Sequence, residues 1–223
     1  ILALGLALSG FFISNGIVKF KTLNRVVEVR GLDEQIVDST EASWNMTFVV
    51  QGNQLAEVYK RANENEKIVR TYLNEIGFKN EEIATGALST QDQFQNSYSQ
   101  IKPAFRYTGR MNISVSSKNV DLIVKAQNFS SSLVAKEIQI ESNNILYRYT
   151  DLNSIKPEMV RNANKSARDA AMSFAKDTGA EVGEIERASQ GLFSISSVSG
   201  MDAEEYSRKK KVRVVTQVSF YLD

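Results

Sequence analysis

The sequence contains no cysteine and no histidine. Without cysteine, a disulfide framework, a thiolate nucleophile and a zinc–thiolate site are excluded. Without histidine, Ser-His-Asp and Cys-His catalysis and metal ligation through imidazole are excluded as well. Glycine-rich phosphate loops of the GxGxxG and GxxxxGKS/T types are also absent from the chain. These absences predict a protein that is not an enzyme and that has no cofactor and no metal ion.

An excess of charge of either sign is lacking too. The chain has 27 Lys and Arg residues against 26 Asp and Glu residues, for a net charge of +1. This balance provides no broad field to attract polyanions, so no nucleic-acid partner is expected. The densest basic run, Arg208–Lys211, could contact lipid headgroups or nucleic acid. We favour the interpretation that this run is the solvent-exposed start of a strand, whose lysines discourage unwanted pairing with other strands.

Paired carboxylates offer the remaining route to an enzyme, because two acids across a cleft can act as general acid and base without histidine. An acid-pair hydrolase is therefore the third functional alternative. The candidate acids are predicted in helix starts and loops, where solvated carboxylates are common. They are Asp33, Glu34, Glu81, Glu82, Asp121, Asp151, Glu204 and Glu205.

Charge is absent from the first eighteen residues, which end against Lys19 and Lys21. At about 1.5 Å rise per residue, a helix of this length can just cross the hydrocarbon core of a bilayer. We predict a transmembrane anchor over residues 1–21, with headgroup contacts from the two lysines. A secretory signal peptide is the alternative. The predicted lipid-facing side chains are Leu4, Leu6, Leu8, Phe11, Phe12, Ile13, Ile17 and Val18.

Strict alternation of apolar and polar residues predicts β-strands in the remainder of the chain. In the first long strand, Trp44 and Phe48 point to one side while Ser43, Asn45 and Thr47 point to the other. This pattern favours antiparallel sheets with one wetter face. The predicted strands cover residues 40–51, 105–115 and 212–222, with shorter ones in 26–30, 84–94, 137–149 and 185–196. Long loops are predicted over 91–102 and 194–207.

Helical spacing predicts three helices between these strands. The first begins at an Asn53 cap and ends at Gly77, the second begins near Asn119, and the third runs from about Pro157 to Gly179. The predicted inward residues of the first are Leu55, Val58, Tyr59, Ala62, Val69, Leu73 and Ile76. Those of the third are Val160, Ala163, Ala167, Ala170, Ala171 and Phe174.

Several of these segments together resemble the SIMPL-domain family, which comprises bacterial envelope proteins of poorly defined activity. The resemblance covers residues 25–223. It implies an α+β fold of antiparallel strands against long helices, an extracytoplasmic location and ring-like homo-oligomers, and it implies no recognised active site. The segments that carry it are Val27–Gly31, Leu73–Gly77, Ile138–Tyr149, Ala163–Gly179, Glu184–Ile185 and Lys211–Phe220.

The sequence thus predicts one SIMPL-like α+β domain over residues 24–223, anchored in the inner membrane with its globular part in the periplasm. Its expected role is self-assembly with a structural or stress-protective function in the envelope. A ligand- or peptide-binding module that uses a sheet face or an exposed edge is the alternative. Orientation stays open, because the positive-inside rule applied to Lys19, Lys21 and Arg25 alone would place the domain in the cytoplasm.

Overall fold

A computed structural model of the protein describes residues 25–95, 103–200 and 203–223. Contacts group these residues into two compact units. The first unit contains residues 25–37, Asp151–Ser196 and Lys211–Asp223, and the second contains Asp38–Thr150 and Ser197–Lys210. The predicted single domain over residues 24–223 stays a prediction, because two compact units can still unfold as one cooperative domain.

The fold class is α+β with two antiparallel sheets, as the alternation predicts. Within the described residues the helices are α1 (Leu55–Ile76), α2 (Val120–Asn128), α3 (Ser131–Val134) and α4 (Leu152–Thr178). The strands are β1 (Val26–Asp38), β2 (Glu41–Gly52), β3 (Ile83–Thr85), β4 (Ser89–Asp92), β5 (Tyr107–Ser117), β6 (Gln139–Arg148), β7 (Val182–Gln190), β8 (Ser194–Ser197) and β9 (Lys209–Leu222).

The three strands predicted from long alternation are confirmed as β2, β5 and β9. The predicted strand over 84–94 is instead two strands, because Gly86, Ala87 and Leu88 leave the strand conformation between β3 and β4. The segment 185–196 likewise divides into β7 and β8. β1 continues to Asp38, eight residues beyond the predicted end at Arg30, because its pairing with β9 holds the whole segment extended.

The second unit is a five-stranded sheet in the order β3-β5-β2-β6, with β4 also paired to β5, and with α1 and α2 packed on one face. Trp44 on β2 lies opposite Val115 on β5 and Ile145 on β6. Its indole Nε1–H donates to Asn143 Oδ1 at 2.5 Å, which satisfies the one polar group of this buried ring. The Tyr72 hydroxyl of α1 donates to the Ala126 carbonyl of α2 at 2.6 Å.

α1 confirms its predicted end but corrects its predicted beginning. Gly77 adopts the left-handed conformation at φ 119°, which glycine tolerates best. Gln54, not Asn53, is the residue before the first turn, because the Asn53 carboxamide accepts from the Arg106 backbone N–H at 3.2 Å. The predicted inward residues Leu55 and Tyr59 are 50% and 60% exposed, whereas Val58 and Ala62 of the same turns are fully buried, so the buried stripe of α1 is narrower than predicted.

The first unit is a sheet of β1, β9 and β7, with β8 also on β9 and α4 on one face. β1 and β9 are antiparallel, because Ser39 N–H donates to Arg208 O at one end and Leu222 N–H donates to Arg25 O at the other. The closest approach of α4 is at Gly31 of β1, where a Cβ atom would lie 1.9 Å from the Ala163 carbonyl oxygen.

α4 begins five residues before the predicted start, because Pro157 lies inside the helix and not at its first position. Its inward stripe is narrower than predicted, and Ala170 and Phe174 are exposed. Only small side chains fit where helix and sheet come this close, so the bulkier Phe174 lies outside the stripe. The buried residues of α4 are Met159, Ala163, Ala167, Ala171 and Ala175.

Candidate functional site

The outer face of the second unit's sheet, opposite α1 and α2, consists almost entirely of uncharged polar side chains. In β2 the buried residues alternate from Ala42 to Phe48, so the residues between them point to this outer face. We call this surface the polar face. Its polar members are Ser43, Asn45, Thr47, Gln51, Thr108, Asn112, Ser114, Ser116, Gln139, Ser142 and Asn144, which the strand register places side by side.

Two ion pairs lie on this otherwise neutral surface: Glu41 of β2 pairs with Arg148 of β6 at 3.3 Å at one end, and Arg110 pairs with Glu141 at the other. Arg110 on β5 reaches across Val49 of β2, and its Nε–H donates to both carboxylate oxygens of Glu141 on β6, at 3.0 and 2.9 Å. Both side chains are about two-fifths exposed, at 41% and 42%. The Arg110 Nη1 also donates weakly to Gln91 Oε1 at 3.5 Å.

A β-bulge in β6 positions the carboxylate of this pair. Phe48 lies opposite Ile140 and Thr47 lies opposite Ser142, so Glu141 is an extra residue without a counterpart on β2. Ile140 packs toward the core, and Asn143 turns inward to bond Trp44. Glu141 and Ser142 therefore both project outward. Bulges commonly redirect side chains in this way next to functional sites.

Beside the ion pair lies a cleft of about 460 Å³, which we call the polar-face cleft. Phe105, which is 42% exposed, is the only aromatic residue in its described lining. At the neighbouring hairpin, Arg106 donates to Asp92 at 2.9 Å, and this bond lowers the pKa of the Asp92 carboxyl group. The cleft is lined by Val49, Gln51, Gln93, Pro103, Ala104, Phe105, Thr108, Arg110, Gln139 and Glu141.

A second concavity of about 530 Å³ runs between α1 and the edge of the same sheet, and we call it the edge groove. The exposed Leu55 and Tyr59 form its helical wall. The opposite wall is the chain from Thr85 to Thr90, where β3 and β4 pair only with β5 within the described residues. The groove therefore combines apolar side chains with an open strand edge.

The first unit exposes an unusual amount of apolar surface, which we call the apolar set. Leu192, in the turn between β7 and β8, is 95% exposed, and Ile185 on β7 is 55% exposed. β7 is an edge strand with most of its residues exposed, and in the part of the chain that the structure describes it pairs only with β9. The other members are Val26, Leu32, Ile36, Met172 and Phe174.

The basic run Arg208–Lys211 is not the uniformly solvent-exposed strand start that we favoured. Arg208 pairs with Asp121 at 2.7 Å, and Lys209 pairs with Asp38 at 3.2 Å. Lys210 is fully buried, and its ammonium group pairs with Glu204 at 3.4 Å and donates to the Glu204 carbonyl. Alternate residues of β9 face the interior, and Lys210 is buried because it lies on the same side of the strand as Val212 and Val214.

The predicted acid candidates lie apart from the clefts described above. Asp121 and Glu204 hold the ion pairs of the basic run, and Glu34 pairs with Arg213 at 3.5 Å. Glu82 accepts from the Lys79 backbone N–H, which lowers the pKa of the Glu82 carboxyl group, whereas a general acid needs a raised pKa. Asp151 precedes α4, and Asp33 accepts from the Gln35 amide.

The predicted membrane anchor, from Leu4 to Val18 with Lys19 and Lys21, lies outside the described residues. None of the helices within residues 25–95, 103–200 and 203–223 has the length and apolar character needed to cross a bilayer. Over the same residues, no three acidic side chains cluster as a metal site would require.

Sequence reasoning placed Arg110 on the wetter side of its strand but did not single it out. The position of Glu141 in the cleft could not be predicted from the sequence, because a β-bulge in a short strand cannot be recognised from the alternation of apolar and polar residues. Phe105 was assigned inward by the same alternation, and it is exposed because β5 begins only at Tyr107.

The two antiparallel sheets with their helices agree with the α+β fold that the sequence resemblance implies. The profile of the SIMPL family, described as "Protein of unknown function (DUF541)", matches residues 27–220. The chain belongs to the SIMPL family.

Other comparisons add little. No curated protein matches the sequence significantly. A crystal structure described as a hydrolase from Listeria innocua aligns with 86% of this chain and 92% of that chain, at 9% identity and a TM-score of 0.23. Such a low TM-score carries no argument about fold or activity.

Proposed function

We propose that this chain is a membrane-anchored, extracytoplasmic SIMPL protein that self-assembles into a homo-oligomer with a structural or stress-protective role in the envelope. The observation that carries the proposal is the apolar set of the first unit. Within the described residues, that unit's core cluster consists of Val27, Ala167, Ala171, Val218 and Phe220. A unit that also exposes this many apolar side chains is expected to gain stability by burying them against a partner.

The open edge of β7 supports a second copy as that partner. An unpaired strand edge pairs readily with another strand, and two copies of one edge form a closed, self-complementary interface about a two-fold axis. In an antiparallel pair centred between Glu186 and Arg187, each glutamate faces the arginine of the other copy. Opposite charges in cross-strand positions favour such a register.

Membrane attachment rests on the uncharged segment that precedes Lys19. A periplasmic position rests on the envelope context of the family resemblance. The proposed role is not catalytic, since none of the predicted acid candidates lines a cleft described above.

Light scattering of the detergent-solubilised full chain after size exclusion tests assembly. We expect one homogeneous oligomer; the β7 pairing alone gives a dimer, and ring-like particles by negative-stain electron microscopy would require a second interface besides it. Replacing Ile185 and Leu192 together by Ser should lower the mass, because both lie at the β7 edge. Phe129→Ser is the matched control, since Phe129 is 60% exposed on the second unit. A wild-type chain that stays monomeric at every concentration would refute assembly.

Membrane attachment is tested separately with the full-length protein. We expect it to stay with the membrane after extraction with alkaline carbonate, and to be digested by protease added to spheroplasts. Release by carbonate would overturn the anchor, and protection from the protease would overturn the periplasmic location.

A second candidate function, peptide binding, is favoured by the edge groove. An extended peptide can add to an open sheet edge, where backbone hydrogen bonds supply affinity and neighbouring pockets select side chains. Here Leu55 and Tyr59 would take the apolar side chains of that peptide. Selection from a random peptide library should enrich alternating apolar residues, and Tyr59→Ala should lose these peptides. Enrichment without a pattern, or binding unaffected by Tyr59→Ala, would contradict this function.

A further inference from the structure

We propose that the polar-face cleft of the second unit binds one residue of a neutral oligosaccharide, and that the rest of the sugar chain lies along the polar face. The proposal is independent of self-assembly, which involves the first unit. It rests on the charge of the face, on its uncommitted hydrogen-bonding groups, on the bulge that presents Glu141, and on the exposed ring of Phe105.

Charge complementarity selects a neutral ligand. Among the residues that the structure describes, the only ionic groups that line the cleft are Arg110 and Glu141, and they neutralise each other at 2.9 Å. An anionic ligand would have to compete with Glu141 for the guanidinium group, and a cationic one would compete with Arg110 for the carboxylate. A hydroxyl group both donates and accepts, so a polyol can bond to both members of the pair without separating them.

The hydrogen-bonding capacity of the cleft is largely unused. A guanidinium group carries five N–H donors, and Arg110 commits only Nε–H firmly. The carboxamides of Gln51, Gln93 and Gln139 make no hydrogen bond to any residue that the structure describes. Several planar polar groups around one cleft can therefore orient a ligand that has many hydroxyl groups, as specific pockets usually do.

The bulge and the aromatic ring give the cleft its shape. Because Glu141 has no counterpart on β2, its carboxylate rises from the face beside Arg110 and makes a polar wall. Phe105 supplies an apolar wall from the segment just before β5. A sugar ring has hydroxyl groups around its rim and C–H groups on its faces, and it can meet both kinds of wall at once.

The dimensions suit a chain of sugars. The polar-face cleft, at about 460 Å³, has room for a single pyranose ring with some solvent. From Gln51 to Ser43, β2 extends the polar face by about 26 Å at about 3.3 Å per residue. Asn45, Asn144 and Ser142 lie along this path with side chains that have no hydrogen-bond partner within the described residues.

Isothermal titration of the full chain with chitohexaose, cellohexaose and maltohexaose tests the proposal, with hexagalacturonate as the anionic counter-probe. We expect at least one neutral hexasaccharide to bind with an affinity that changes little between low and high salt, because no charge is neutralised. Phe105→Ala and Glu141→Gln should each weaken binding by about tenfold, the loss typical of one aromatic or charge-assisted contact.

Matched controls lie elsewhere on the second unit. Phe129→Ala removes another exposed aromatic ring, and Arg208→Gln breaks another exposed ion pair, so neither should change the affinity. Gln139→Ala, at an exposed strand position, provides a cleft variant whose folding is not in question, and it should weaken binding. The proposal is overturned by absence of binding to all three neutral sugars, by preference for hexagalacturonate, or by cleft variants that bind as well as the controls.

Discussion

The contact between Gly31 and α4 makes a sharp quantitative prediction. The added methyl group of Gly31→Ala would lie 1.9 Å from Ala163 O and 2.5 Å from Ala167 N, both backbone atoms. Ordinary contact begins near 3.4 Å, so α4 would have to withdraw by about 1.5 Å at this point. A gap of even 0.5–1 Å forfeits about a quarter to a half of the dispersion energy of the atoms that it separates.

This displacement fixes the expected magnitude. Overpacking typically costs about 1–3 kcal/mol, and the obstacle here is helix backbone that cannot rotate away, so we expect about 3 kcal/mol for Gly31→Ala. For a chain of this size, that loss corresponds to a fall of about 6–12 °C in the melting temperature. Ala167→Gly should not rescue the variant, because the shortest contact is with the Ala163 carbonyl oxygen.

Urea unfolding followed by two probes measures the effect. Far-ultraviolet circular dichroism reports on both units, whereas fluorescence of Trp44, the single tryptophan, reports on the second unit. A shift in both signals would indicate one cooperative domain over residues 24–223. A shift in circular dichroism alone would indicate that the units unfold separately.

Two other glycines serve as controls. A Cβ atom at Gly86 would have its nearest neighbour at 3.6 Å, so Gly86→Ala should change stability by less than about 1 kcal/mol. Gly77→Ala has open space but a φ of +119°, and should cost about 1 kcal/mol through backbone strain alone. If Gly31→Ala is as mild as Gly86→Ala, the close approach of α4 to β1 is refuted.

Three further predictions concern buried polar groups. Burial raises the pKa of Tyr72 from 10.0 to about 12, so this tyrosine ionises at a lower pH in the unfolded chain than in the folded one. The free energy of unfolding should therefore be unaffected below pH 10 and fall by about 3 kcal/mol as the pH rises through 12. Urea titrations across this range measure the loss, which should be absent from Tyr72→Phe. The buried hydroxyl of Thr216 finds no hydrogen-bond partner among the described residues, so Thr216→Val should raise the urea midpoint by an amount equivalent to about 1 kcal/mol, and a lower midpoint would contradict that. Lys210 is fully buried, so Lys210→Ala should lower the free energy of unfolding by about 2–4 kcal/mol through the cavity that it leaves. Lys210→Met fills the same space and should have a melting temperature close to that of the wild type. Equal losses in the two variants would show that the ammonium group, and not the packed aliphatic stem, stabilises the fold.

Much of the fold could be predicted wherever the spacing of apolar residues along the chain coincides with the residues that tertiary packing buries. In β2, the alternation from Ala42 to Phe48 matches the buried face residue by residue. Gly77 and Gly179 end their helices in the left-handed conformation, as a glycine after an apolar stripe predicts. The candidate cleft could not be predicted, because Glu141 is distant in sequence from Phe105 and Arg110 and only strand pairing brings it beside them.

The sequence by itself determined which kinds of catalysis and metal binding are excluded, because a chain without histidine or cysteine cannot form the sites that depend on these residues. It also determined the strand and helix periods and, through the segments that it shares with other SIMPL proteins, the family. Tertiary structure decided which polar residues matter. Alternation could assign Lys210 and Glu141 to a side of a strand, but only the packing around β9 buries Lys210, and only the bulge in β6 turns Glu141 toward Arg110. The reason is that burial and register are set by contacts between distant segments, which no local pattern encodes.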